Sequence, residues 1–208
     1  MNRTIKLLMF SDIFVATGFG LVEPILAIFI KENLAGGTIF AAGLAGALFI
    51  ITKSAVQLPF SRYVDRHDKK VRWLLVGTFL IAMVPFVYIF STDIRFIYAA
   101  QVLYGLGSGL AYPTWLGLWS TNLDRNHESF EWSLYSTLVG LGTASAATIG
   151  AGIAELAGFR YTFALVGIMA LAGCFVLFFL ERKREKMMRT GMRTYPRRRK
   201  LVPGQHTD

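Results

Sequence analysis

Two carboxylates and one ammonium fall where the chain is otherwise apolar. Asp12 and Glu23 lie in an uncharged-looking run over residues 7–30, and Lys53 lies in the next, over 39–60. On insertion scales a charge at the centre of a bilayer costs roughly 2.5–3.5 kcal/mol, so an ionisable side chain there is read first as part of a solute or ion path. At ~100° per residue the eleven positions from Asp12 to Glu23 bring the two acids back to within about 20° of one helix face, shared with Ala16 and Phe19. Lys53 falls near the depth of Asp12, about 10 Å from the polar end of its run, where it either pairs with that carboxylate or extends its stem toward the interface. Glu23 has no Lys or Arg at its own depth, and such a carboxylate can bind and release a proton or hold a cationic solute.

A second polar stripe can face these charges. Gln101, Ser108, Tyr112, Trp115 and Trp119 lie within about 40° of one another on a helical wheel, on an otherwise apolar run. The stripe reads as the wall of a water-filled path; the two tryptophans read equally as part of an interfacial aromatic belt. Acyl-transfer chemistry is excluded. Gly107-Ser108-Gly109 offers a serine, but His67, His127 and His206 all lie outside the apolar runs and none can reach it as a base. Metal-ligand spacings and cofactor motifs are absent as well, so no cofactor is expected. The lone cysteine, Cys174, permits no intrachain disulfide.

The elements that position these residues follow from hydropathy. Of 208 residues 54% are hydrophobic, with mean hydropathy +0.47, yet the net charge is +9. A lipid bilayer is the solvent that reconciles the two. Six runs are each long enough to cross an ~30 Å hydrocarbon core as a helix, near 7–30, 39–60, 73–91, 96–120, 133–157 and 161–180. The short connections imply one antiparallel bundle over residues 1–180, followed by a basic tail over 181–208. The run at the amino terminus is too long for a signal-peptide core and lacks a small-residue cleavage site.

The charge excess is organised by loop, which points to membrane orientation and away from nucleic acid. Arg3, Lys6, five residues of the hinge over 59–73, Arg125 and ten residues after Leu180 share one side, against Lys31, Arg95 and Arg160 on the other. Both termini are therefore expected in the cytoplasm, with the chain in the plasma membrane. The tail reads as a stop-transfer flank, a surface helix on anionic lipid or a linker; Pro196 and Pro203 oppose a continuous helix to its end.

Small residues are spaced for close helix contact. Gly142, Ala146, Gly150, Ala154 and Gly158 recur at every fourth position, and Gly105 and Gly109 share that spacing. They serve either packing inside the bundle or contact with another subunit.

Together these features resemble the major facilitator superfamily of secondary transporters. The hinge is similar to that family's loop between its second and third helices, a Gly-x-x-x-Asp-Arg-x-Gly-Arg/Lys-Arg/Lys pattern, here Ser61, Asp65, Arg66, Asp68, Lys69 and Lys70. Gln101 to Gly109 resembles an Arg-x-x-x-Gly-x-Gly segment, Glu23-Pro24 sits where the first helix commonly carries a proline, and Gly158 to Phe163 resembles the lead into the sixth helix. Ser61 and Asp68 stand in place of motif glycines, and Gln101 in place of the arginine of proton-coupled members, so an arginine-based scheme does not carry over. The resemblance implies an all-α membrane fold of six helices as 3+3 inverted repeats, half of the usual twelve. It implies transport of a small solute by alternating access with a second six-helix half, either another copy or a separate chain, and proton-coupled efflux is one form this can take. The motif aspartate, Asp65, would then cap a helix of that second half. Two other readings remain: a scaffold or assembly protein that keeps the half fold without transport, and a fragment of a twelve-helix transporter.

Reporter fusions check the orientation. Fusions after Leu180 and within 62–72 should report a cytoplasmic location and fusions near Gly36 an external one; the reverse pattern contradicts the charge argument.

Overall fold

The computed structural model describes residues 1–67 and 69–189, with side chains described as far as 182. Among the described residues seven helices follow one another: α1 (Arg3–Gly20), α2 (Leu26–Asn33), α3 (Ile39–Asp65), α4 (Lys70–Phe90), α5 (Ile94–Asn122), α6 (Glu128–Ala157) and α7 (Phe159–Arg189). Four of them, α3, α4, α6 and the Phe159–Arg182 part of α7, are each long and apolar enough to cross a membrane. α1 and α5 are the more polar helices, and they carry Asp12 and the Gln101–Trp119 stripe. The basic tail falls partly in α7, which continues to Arg189, and 190–208 lie outside the described residues, as does Asp68 of the hinge.

Local signals start and stop these helices. Asn2 Oδ1 accepts from the Thr4 amide at 3.2 Å, Thr38 Oγ1 from the Ala41 amide at 3.0 Å, and Asp93 Oδ1 from the Arg95 amide at 2.8 Å, so three helix starts have a side-chain cap. Gly158 ends α6 at φ +96°, where a Cβ would be strained, and lets α7 begin one residue later. Pro59, Pro85 and Pro113 lie within α3, α4 and α5; neighbouring helices make such prolines tolerable in a membrane-type bundle.

Two expectations change. The run over 7–30 is two helices. Pro24 has no amide hydrogen to continue the ladder, and the chain passes through a turn over 21–25 in which the Leu21 and Val22 amides bond three residues back, to Gly18 and Phe19. Asp12 and Glu23 therefore do not share a continuous helix face. The hinge is also shorter than its charge suggests: α3 runs through Pro59 and Arg62 to Asp65, and α4 begins at Lys70. Polar residues at 61–65 extend the helix rather than unwinding it. Lys53 consequently sits twelve residues, about 18 Å, from the end of α3, deeper than the hydropathy boundary implied.

α3 packs on α5, α5 on α4, α4 on α7, α7 on α1, and α1 on α6. One buried cluster includes Leu21, Phe29, Tyr88 and Phe163; a second, toward the other end of the bundle, includes Ile5, Leu74, Trp119 and Leu177. At the first end a short bridge ties two loops: the Ala35 amide bonds the Thr92 carbonyl at 3.1 Å and the Ile94 amide bonds the Ala35 carbonyl at 3.0 Å. At the other end Arg72 Nε bonds Glu181 Oε1 at 2.8 Å, fastening α4 to α7.

Glycines set the closest approaches. A Cβ on Gly150 of α6 would run into the Leu21 carbonyl, and one on Gly142 would lie 2.5 Å from Thr17 Oγ1, so the small-residue ridge faces α1. Ala146 of the same ridge is buried there. Gly105 and Gly109 of α5 meet α3, where Cβ atoms would lie 2.6 Å from Thr52 Cβ and 2.8 Å from Val56 Cβ. Of the two uses left open for these residues, packing within the bundle is the one realised at Gly105, Gly109, Gly142 and Gly150.

Gly150→Val should destabilise the bundle by about 1–3 kcal/mol or more, because backbone cannot give way as a side-chain tip can. Gly152→Val, whose Cβ meets nothing within 4 Å, should be tolerated. Thermal unfolding of the purified protein in detergent checks both.

Candidate functional site

A cavity of about 300 Å³ opens between α1, α3, α5 and α6, floored by α4 and α7. α1 contributes Asp12, α3 contributes Lys53, and α5 contributes Tyr104, Ser108, Tyr112 and Trp115. Tyr135 of α6 reaches across and donates its hydroxyl to Asp12 Oδ2 at 2.5 Å. The Lys53 ammonium lies 4.7 Å from the centre of the Tyr112 ring and 5.9 Å from that of Phe49. An ammonium over a ring face is attracted by the ring quadrupole, by about 0.5–2 kcal/mol depending on desolvation. Asp12 and Lys53 thus line one cavity without forming an ion pair; each takes an aromatic partner instead.

Aromatic rings bound the cavity on two sides. Tyr104 is sandwiched between Phe19 of α1 (centroids 4.7 Å apart, planes at 15°) and Phe49 of α3 (4.3 Å, 21°). The opposite end carries a cluster of Trp115, Trp119, Trp132 and Tyr135, with Trp115 and Trp119 stacked at 4.9 Å. Trp115 is only 7% exposed, and its indole N–H has no hydrogen-bond acceptor among the described residues.

The α5 stripe is divided. Ser108, Tyr112 and Trp115 line the cavity, whereas Gln101 is buried and donates to the Tyr88 hydroxyl of α4 at 3.1 Å. Trp119 is fully buried in the aromatic cluster, not at an interfacial belt. Helical-wheel proximity of about 40° cannot separate these positions, because α5 is packed against both α3 and α4 and the neighbour changes along its length. Glu23 lies in the turn over 21–25, exposed, and does not line this cavity.

At the hinge, Ser61 Oγ donates to the Leu58 carbonyl at 2.8 Å within α3, and Asp65 pairs with Lys70 Nζ at 3.6 Å across the connection. Arg66 closes the end of α3 with its amide on the Tyr63 and Val64 carbonyls, and Lys69 precedes α4 without a side-chain cap. Lys70 Nζ lies 3.6 Å from where a Gly117 Cβ would stand, against the end of α5. Near the same end the Asp124 carboxyl is held below the usual carboxylate range, chiefly by its hydrogen bond with the Met1 amino group. Glu131, buried, accepts from the Asp124 amide at 3.3 Å.

Tyr104 and Tyr135 escaped the sequence reading. Tyr104 stands four residues before Ser108 on the cavity side of α5, a spacing that was legible. Tyr135 meets Asp12 from 123 positions away, with no local signal.

A bundle that is helical throughout its described elements, largely apolar and lined inside by charged and aromatic side chains, is that of a multi-pass membrane protein. The chain belongs to the Major Facilitator Superfamily, whose family description matches residues 8–203. It is 23% identical over 172 residues to the quinolone resistance protein NorA of Staphylococcus aureus, an alignment over 82% of this chain and 43% of that protein. Among solved structures it resembles an auto-inhibited POT family peptide transporter (TM-score 0.73, 17% identity) and the POT family transporter PepTSo solved in meso (TM-score 0.74, 20% identity). Each superposition covers 88% of this chain and 38% of the other, and at these identities it shows the fold. The chain spans less than half the length of the curated relatives it matches.

Cysteine labelling tests how the stripe divides. In a Cys174→Ser background, Tyr112→Cys should react with a small water-soluble methanethiosulfonate about tenfold or more faster than Gln101→Cys, since access of the thiolate governs the rate. Equal rates would place Gln101 at the cavity after all.

Proposed function

We propose that this chain is the six-span half of a secondary transporter and that the Asp12–Lys53 cavity is its part of the solute path. The observation that carries this reading is the cavity itself: two unpaired, opposite charges at mid-depth of a bundle whose family consists of transporters. The helix packing supports a 3+3 inverted repeat when α1 and α2 are counted as one interrupted span. Exchanging spans one to three with four to six turns the α3–α5 contact into α6–α1, turns α4–α5 into α7–α1, and leaves α4–α7 in place. In this arrangement α3 and α6 are equivalent, and both leave a large apolar face open. Phe40, Ile51 and Leu58 of α3 and Leu141, Ile149 and Leu156 of α6 are exposed.

That face is where a second six-helix half, a further copy or another chain, would close the cavity; lipid covers the remaining apolar surface. Both termini lie in the cytoplasm in this reading, following the excess of basic residues on one side. Asp12 is better placed than Glu23 to meet a solute or coupling proton, because it faces the cavity and already exchanges a hydrogen bond with Tyr135. Glu23, at the break between α1 and α2, is open to water or to the second half. Asp65, engaged by Lys70 within this half, retains most of its exposure and can still meet a partner helix. NorA's name makes a quinolone the first solute to try, and efflux the first direction.

Everted vesicles containing the protein should accumulate a fluorescent quinolone when a proton gradient is imposed. Asp12→Asn should reduce that accumulation roughly tenfold to a hundredfold, as expected for losing a charge-assisted contact of about 1.5–3 kcal/mol. No accumulation above empty vesicles would remove quinolone efflux. A loss of pH dependence in Glu23→Gln, with Asp12→Asn unaffected, would move the coupling group to the turn.

A further inference from the structure

We infer that the cavity selects a small aryl zwitterion, a flat solute with a cationic group at one end and an anionic group at the other. The inference rests on the carrier reading above and narrows its substrate class. Asp12 and Lys53 face the same space from α1 and α3. Those helices are held apart, since α3 packs on α5 while α1 packs on α6 and α7. Neither charge has an oppositely charged partner among the described residues: the Asp12 carboxylate has the Tyr135 hydroxyl and the Lys53 ammonium has the Tyr112 ring.

Both partners satisfy a charge without neutralising it. A cation approaching Asp12 alone is repelled by Lys53, and an anion approaching Lys53 alone is repelled by Asp12, and protein walls screen these interactions less than bulk water does. A solute bearing both charges neutralises both walls at once. Trp115, 7% exposed and packed against Tyr135, extends the aromatic wall on the Asp12 side. Tyr104 is already stacked between Phe19 and Phe49, so the solute's ring meets the edges of that stack and the Tyr112 ring beside Lys53.

Three probes of nearly equal size test the inference: 4-(aminomethyl)benzoic acid as the zwitterion, its methyl ester as the cation and its N-acetyl derivative as the anion. Isothermal titration into the purified chain should show the zwitterion binding at least about tenfold more tightly than either singly charged probe. Lys53→Gln should bring the zwitterion down to the level of the ester, and Asp12→Asn down to that of the acetyl derivative. Lys53→Arg, which keeps the charge, should keep the preference and guards against misreading a folding defect. Equal affinity for either singly charged probe, no measurable binding of the zwitterion, or a preference unchanged by Lys53→Gln overturns the inference. Counterflow in liposomes separates it from the carrier reading. Selective binding without counterflow of the zwitterion removes transport by this chain on its own and leaves the paired-charge site. Counterflow of the ester at the zwitterion's rate leaves the carrier and removes the selectivity.

Discussion

Hydrocarbon offers no partner to an amide or a charge, and the organisation of this chain follows from that constraint. Backbone groups are satisfied within helices, so the described chain is nearly all helix, and the few departures fall where protein or water can answer for them. The interruption over 21–25 is the clearest. The Leu21 carbonyl lies against Gly150 of α6, where a Cβ would leave no room, and Gly20, just before the break, lies against Thr143. The small-residue ridge of α6 and the broken first span are two halves of one packing solution.

The same constraint decides what happens to polar side chains. Gln101 and Tyr88, Arg72 and Glu181, and Asp65 and Lys70 meet one another, and each contact joins a different pair of helices or helix ends. Asp12 and Lys53 differ in that neither meets a group of opposite charge among the described residues. Holding opposite charges apart in a space of about 300 Å³ gives up an attraction that the fold could have used. Such an arrangement is stabilised when something else occupies the gap. The carrier reading and the zwitterion inference both grow from this feature.

Aromatic rings perform a structural and a chemical task together. The Phe19–Tyr104–Phe49 stack links α1, α5 and α3 beside the cavity, and the Trp115–Trp119–Trp132–Tyr135 cluster links α5 to α6 at its other end. These contacts place the Tyr135 hydroxyl on Asp12, and they connect the occupancy of one carboxylate to the position of α6.

The sequence by itself determined the solvent, the class of fold and the family, because each is a matter of local hydropathy, charge count or short motif. It also located the small residues, though not which neighbour they touch. Only the tertiary structure decided that Asp12 and Glu23 part company at a broken span, that Lys53 lies deep in α3 without pairing to Asp12, and that the α5 stripe splits between cavity and core. Tyr135 is the extreme case, brought to Asp12 by the packing of α6 on α1 across 123 positions of chain. A helical wheel assigns a residue to a face but not a neighbour to that face. Which helix stands opposite is fixed by ridge, glycine and ring contacts distributed over the whole bundle.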